Sequence, residues 1–240
     1  VGLDMDRILL FPTVVTEDHR EVPNWEKDLW FDLYLKHSNK KGESHDWLGF
    51  EGLHQEPGTK FFFEKVLMPA VDYYLSCLHV KRDNSDVMVT KCFFNVTDQS
   101  GMRQHNHEEN HISFVYYPHI AEGKERDLML FDPRHKHPNE PHSRFFASNA
   151  MHWDAINARV MHLPVKEGML YVFPSDMDHD LKLEDGDKGS GILGFNTKEE
   201  LLKTRFCVAG DLLIVRNHID SYDRLLPPPV TWKKFDSVID

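Results

Sequence analysis

The rhythm of apolar and polar positions changes near residue 86. Before that point, two stretches carry apolar residues near helical spacing. In Asn24-Trp25-Glu26-Lys27-Asp28-Leu29-Trp30-Phe31-Asp32-Leu33-Tyr34-Leu35 an asparagine stands where a helix cap is favoured, because its side chain can accept from an unpaired amide of the first turn. From about 59 to 79, Phe62, Val66, Ala70, Tyr73 and Cys77 or Leu78 recur near one stripe, and Pro69 is expected to bend that helix. Ahead of both, residues 7 to 15 read as a strand that Pro12 confines to a sheet edge, since proline has no amide hydrogen to give a ladder. The aromatic stripes therefore predict helices laid over a sheet.

After 86 the texture becomes one of short apolar runs separated by polar or Gly/Pro turns: 86–96, 111–117, 127–131, 158–164, 168–174, 191–196 and 204–208, then 211–215. Many short strands after a helical opening indicate a mainly β sandwich or barrel with flanking α-helices packed outside. The expectation is a single domain over 1–240, with a strand core at about 86–208 and a tail at 216–240. That tail, with Pro227-Pro228-Pro229 and Trp232, either wraps the core or serves as an oligomer contact, which admits a homodimer. Segment 132–157, rich in His, Pro and Asn, is the longest irregular stretch, and loops of that length often act as lids or binding loops.

Composition narrows the function classes. A chain of 240 residues with 40% apolar and 28% charged residues supports one substantial core. A formal charge of −11 argues against bulk electrostatic binding of nucleic acid, which needs clustered Lys and Arg. Cys77, Cys92 and Cys207 are odd in number and lie in apolar runs, so reduced thiols and a cytoplasmic setting are expected. No segment approaches the ~20 apolar residues of a membrane span, and no charged and then apolar leader opens the chain, which starts on Val1.

Chemistry concentrates in Arg103-Gln104-His105-Asn106-His107-Glu108-Glu109 and in a distant His179 within Phe173-Pro174-Ser175-Asp176-Met177-Asp178-His179. Side chains at i and i+2 of an extended segment point to one side, so two imidazoles there can chelate one metal and a later strand can bring a third ligand. Such a three-point cap leaves positions open for substrate and O2. The chain has 16 histidines, and His105, His107, His111, His119, His135, His137 and His142 crowd one stretch, so enrichment alone could produce close pairs. The flanking apolar runs Val87 to Val96 and Ile112 to Tyr117 set His105 and His107 at a junction between strands, where a rigid sheet can hold a site.

The succession Phe94-Asn95, Gly101, His105-x-His107, Ile112-Ser113, Val115-Tyr116-Tyr117, Leu130-Phe131-Asp132-Pro133-Arg134, Gly168-Met169-Leu170-Tyr171-Val172-Phe173-Pro174-Ser175, His179 and Gly194-Phe195-Asn196 resembles the 2-oxoglutarate and Fe(II)-dependent oxygenases of bacteria and their phages. Leu10-Phe11-Pro12-Thr13 is similar to that family's opening, and the likeness runs over roughly 8–197. It implies a double-stranded β-helix, a cupin-like jelly-roll of two sheets with Fe(II) at its mouth and 2-oxoglutarate as co-substrate. On that resemblance His105 is the first ligand, His107 stands where most members carry a carboxylate, and His179 is the distal ligand. Glu109 is the rival to His107; the distances to Ser113 and Tyr117 favour His107.

Tyr117 resembles the strand tyrosine that hydrogen-bonds the distal carboxylate of 2-oxoglutarate. The family's carboxylate-binding arginine is replaced: counting back from Phe195-Asn196 gives Ser190, with Lys188 two residues earlier as a point-charge substitute and Arg134 and Arg103 as other candidates. The implied activity is hydroxylation of a small molecule or a peptide side chain. Two other classes stay open: a cupin-like three-His dioxygenase that uses no 2-oxoglutarate, and a non-enzymatic jelly-roll binding protein.

Overall fold

A computed structural model describes residues 13–38, 50–80, 82, 85–97, 102–133, 158–181, 195–216 and 232–236. Ten strands are present among them: β1 Thr16–His19, β2 Ser85–Thr97, β3 Met102–His105, β4 Ile112–Ile120, β5 Leu128–Phe131, β6 Val160–Leu163, β7 Met169–Pro174, β8 His179–Leu181, β9 Arg205–Arg216 and β10 Lys233–Lys234. The helices are α1 Asn24–Ser38, α2 Lys60–Phe62, α3 Met68–Cys77 and α4 Lys198–Leu201, with a π-helical turn Phe63–Leu67 between α2 and α3. A six-stranded sheet runs β1-β7-β4-β9-β2-β10 and a four-stranded sheet runs β3-β8-β5-β6. From β2 to β9 the chain passes back and forth between the two sheets, which is the winding of a double-stranded β-helix.

Alternation along β4 shows why these sequences fold this way. Every residue of β4 is buried, because both of its faces are covered. Phe114 and Tyr116 face the helices, where Phe62 lies 4.8 Å from the Tyr116 ring and Trp30 meets Phe62 and Phe94 edge-on. Val115 and Tyr117 face the other way, into an apolar layer shared with Phe93, Leu128, Phe173 and Cys207. Helices therefore cover the outer face of the large sheet, and the inner face is left for a pocket.

Pro69, in the first turn of α3, has no amide to give the carbonyl four residues back, and the turn just before it widens to π geometry. Of the edge strand expected at 7–15, residues 7–12 lie outside the described set and 13–15 are not in a strand, while the polar Thr16–His19 makes an edge ladder to β7. The runs 204–208 and 211–215 are one strand, β9, which extends past the expected limit at 208. Gly210 and Asp211 imitate a turn, yet a side chain at Gly210 would meet the Lys91 carbonyl at 2.5 Å and the Phe114 ring at 2.7 Å. Glycine is there for close approach. Gly210→Ala is expected to lower stability by roughly 1–3 kcal/mol through overpacking, read as a lower melting temperature.

In the expected strand 191–196, positions 191–194 lie outside the described residues, and Phe195 and Asn196 lead into Thr197, the cap of α4. From the expected tail, residues 232–236 are described and Lys233–Lys234 adds an edge to β2. No described helix is long and apolar enough to cross a membrane.

A three-histidine cluster beside a buried arginine

Strand ends bring three imidazoles together. β3 and β8 pair antiparallel with His105 opposite His179, and His107 follows two residues later, where the chain leaves β3. The ligand-capable atoms of His105, His107 and His179 all lie within 4.8 Å of one another. Their ring centroids stand 5.2 Å (His105 to His107), 4.2 Å (His105 to His179) and 5.2 Å (His107 to His179) apart. Glu109 is exposed in the turn beyond and is not part of this group.

The register is pinned from outside the cluster. Gln104 and Asn106 flank His105 and donate their amides to the two carboxylate oxygens of Asp178, at 2.9 and 2.8 Å. Residues on either side of His105 are thus tied to the residue before His179. The His107 amide donates to the Ser175 carbonyl at 2.7 Å, and the His111 amide to the Leu212 carbonyl at 3.0 Å.

Hydrogen bonds also select the tautomers. His179 Nδ1 lies 3.0 Å from the Met177 carbonyl, and His107 Nδ1 lies 2.6 Å from Asp211 Oδ2. Both partners are acceptors, so each Nδ1 carries the proton and each Nε2 keeps a free lone pair for a metal. Burial and the neighbouring His105 imidazole push His179 down to about 3, so the ring is neutral at ordinary pH. Burial alone would raise Asp211, but the bond and charge of His107, with Lys91 and Ser113, hold it below the usual carboxylate range.

The cluster opens on a pocket lined on its apolar side by Phe93, Val115, Leu128 and Phe173, with Tyr117 and Arg205 also on the wall. Arg205 is 3% exposed, donates through Nη2 to the Tyr117 hydroxyl at 2.9 Å, and stacks its guanidinium 4.7 Å from that ring. Its Nε has no hydrogen-bond partner, and no carboxylate pairs with it among the described residues. Burial raises the Tyr117 hydroxyl against the pull of Arg205, which keeps it neutral. Burial likewise pushes the Cys207 thiol up to about 12, so it is an inert wall.

Of the residues singled out in the sequence, His105, His107, His179 and Tyr117 share this pocket. Arg103 lies in β3, while Arg134 and Lys188 are outside the described residues. Arg205 and Asp211 are not in that set: read as two runs, β9 gives no reason to join them to the pocket, and the count back from Phe195-Asn196 ends at 188–190, outside the described residues. The signal was there: a lone arginine opening an apolar run, and a lone aspartate inside one, are both charges in line for burial.

The family model described as "Putative 2OG-Fe(II) oxygenase" matches residues 92–196, from β2 to just before α4. No curated protein sequence matches the chain. Among solved structures it is similar to the non-heme alpha ketoglutarate dependent carbocyclase SnoK from nogalamycin biosynthesis, at 11% identity over 93% of this chain and 92% of that one, TM-score 0.51. EctD from S. alaskensis in its apoform gives 11% identity over 90% and 79%, TM-score 0.52. AviO1 from Streptomyces viridochromogenes Tue57 gives 10% identity over 90% and 93%, TM-score 0.50. At such identities the likeness speaks for the fold, a double-stranded β-helix with a pocket at its mouth.

Proposed function

We propose, from the match of residues 92–196 to the 2OG-Fe(II) oxygenase family model, that this protein binds Fe(II) through His105, His107 and His179 and uses 2-oxoglutarate and O2 to hydroxylate a small molecule or a peptide side chain. Fe(II) and 2-oxoglutarate are the cofactors that such a domain implies. When bound, the pair couples oxidative decarboxylation of the keto acid to insertion of oxygen into a C–H bond.

The observation that carries the reading is Arg205. A guanidinium stays cationic, and burying it without a counter-charge costs several kcal/mol, so a pocket that holds one 3% exposed with an unpartnered Nε is built for an anion. The far carboxylate of 2-oxoglutarate suits that need, with the keto acid end directed at the three imidazoles. Tyr117 accepts from Arg205 and so keeps its own hydroxyl proton to donate to the same carboxylate. Arg205 thereby takes the anchoring role ahead of Lys188, Arg134 and Arg103. Phe93, Val115, Leu128 and Phe173 exclude water from the reacting end. The buried, unpaired thiols of Cys92 and Cys207 support a cytoplasmic setting as part of the same proposal.

The test is anaerobic addition of Fe(II) and 2-oxoglutarate, which should give a visible charge-transfer band, followed by O2-dependent loss of the keto acid. Three imidazoles without a carboxylate also suit a cupin-like dioxygenase; O2 uptake with no band and no keto acid consumption would favour that reading instead. For the second ligand, Glu109→Gln is expected to keep stoichiometric metal and His107→Ala to lose it, measured by equilibrium dialysis. The reverse pattern would transfer the role to the carboxylate.

A further inference from the structure

Asp211 is fully enclosed, is not among the residues that line the pocket, and has no part in the reaction as described above. Yet three donors converge on it. His107 Nδ1 meets Oδ2 at 2.6 Å, Lys91 Nζ meets the same oxygen at 3.0 Å, and the Ser113 hydroxyl donates to Oδ1 at 2.6 Å. Lys91 is aimed there by a break in register between Val89 and Lys91, where β2 carries one residue more than β9. The extra residue, Thr90, turns its hydroxyl to within 2.7 Å of Asn110 Oδ1 and 3.1 Å of the Asp211 carbonyl. The bulge thus fixes both the carboxylate and the loop that carries His107.

A cap of three neutral imidazoles brings no negative charge to a divalent metal, whereas the usual two-His, one-carboxylate set brings one. We propose that Asp211 is the positioning residue that restores this charge, acting on the metal through the His107 ring. The carboxylate has been moved one imidazole outward. It holds the Nδ1 proton, aims Nε2 into the cluster and raises the basicity of that nitrogen. This inference rests on the metal-site reading above. It also makes Lys91 a counterweight: one quarter exposed and bound to the same oxygen as His107, it draws off part of the charge that would otherwise reach the ring.

Because the two residues carry opposite charges, their removal moves metal affinity in opposite directions, which a purely structural role would not do. Co(II) serves as the probe metal, its affinity measured by chelator competition and its ligand field by its visible spectrum, with no co-substrate present. Asp211→Asn keeps the size of the side chain and is expected to weaken Co(II) about ten- to a hundred-fold, the usual range for an outer partner of a ligating histidine, and to shift the spectrum. Lys91→Met is expected to bind Co(II) more tightly than the parent. Apo-protein melting curves run alongside report whether each variant folds.

A folded Asp211→Asn protein with parental Co(II) affinity overturns the inference, and so does unchanged or weakened binding in a folded Lys91→Met. If Asp211→Asn does not fold, Lys91→Met decides alone: raised affinity supports the inference, and affinity held or lowered overturns it. A parent that binds no Co(II) overturns the metal-site reading itself, an outcome separate from any difference between parent and variants.

Discussion

Replacing His105 or His179 with alanine is expected to abolish stoichiometric Fe(II) binding while the fold stands. Each substitution removes one of three imidazole donors, and two remaining neutral donors are too few to hold a divalent ion against water. The structural loss is small by comparison. His105 is half-buried at a strand end, and His179, though 8% exposed, sets its ring against the other two imidazoles and Phe173 and bonds the Met177 carbonyl. A destabilisation of about 1–3 kcal/mol covers the cavity left behind, visible as a lower melting temperature without loss of cooperativity. Equilibrium dialysis under anaerobic conditions reads the metal. Full occupancy in either variant would remove the residue from the ligand set.

Arg205→Met should bind Fe(II) like the parent and lose 2-oxoglutarate. Each charge-assisted hydrogen bond to the co-substrate contributes about 1.5–3 kcal/mol, and a guanidinium fork can make two, so a fall in affinity of at least roughly a hundred-fold is expected. Arg205→Lys keeps the charge without the fork and should recover part of that loss. Tyr117→Phe removes one neutral donor worth nearer 1 kcal/mol, a fall of about five-fold. Titration of the charge-transfer band at fixed iron measures all three. If Arg205→Met takes up 2-oxoglutarate as the parent does, the anchor lies elsewhere and Lys188 is the next candidate.

Much of this site was legible because its geometry is local. His105 and His107 are two residues apart at a strand end, a spacing that sets both rings on one side whatever the rest of the fold does. The apolar runs at β2, β4, β5 and β7 were equally plain, since strands covered on both faces, such as β4, read as continuous apolar sequence. What did not show were elements whose identity depends on partners far along the chain. β3 and β8 are short and polar, Met-Arg-Gln-His and His-Asp-Leu, and exist as strands only through each other and β5. β9 looked broken because Gly210 and Asp211 answer to Phe114 and His107, more than ninety residues away in sequence. Arg205 is hidden for the same reason: its position in space follows from β9 lying between β4 and β2, and no local pattern states that.

The place of β9 also bears on how the protein is made. It is the strand that fills the middle of the large sheet, yet it comes late in the chain, and it carries both Arg205 and Asp211. Until it has left the ribosome and slotted between β4 and β2, the half-built sheet has two unpaired inner edges and His107 has no carboxylate behind it. Long-range closure of this kind is slow compared with local turns. Closure of the large sheet and placement of the Asp211 carboxylate behind His107 are therefore a single late event in folding.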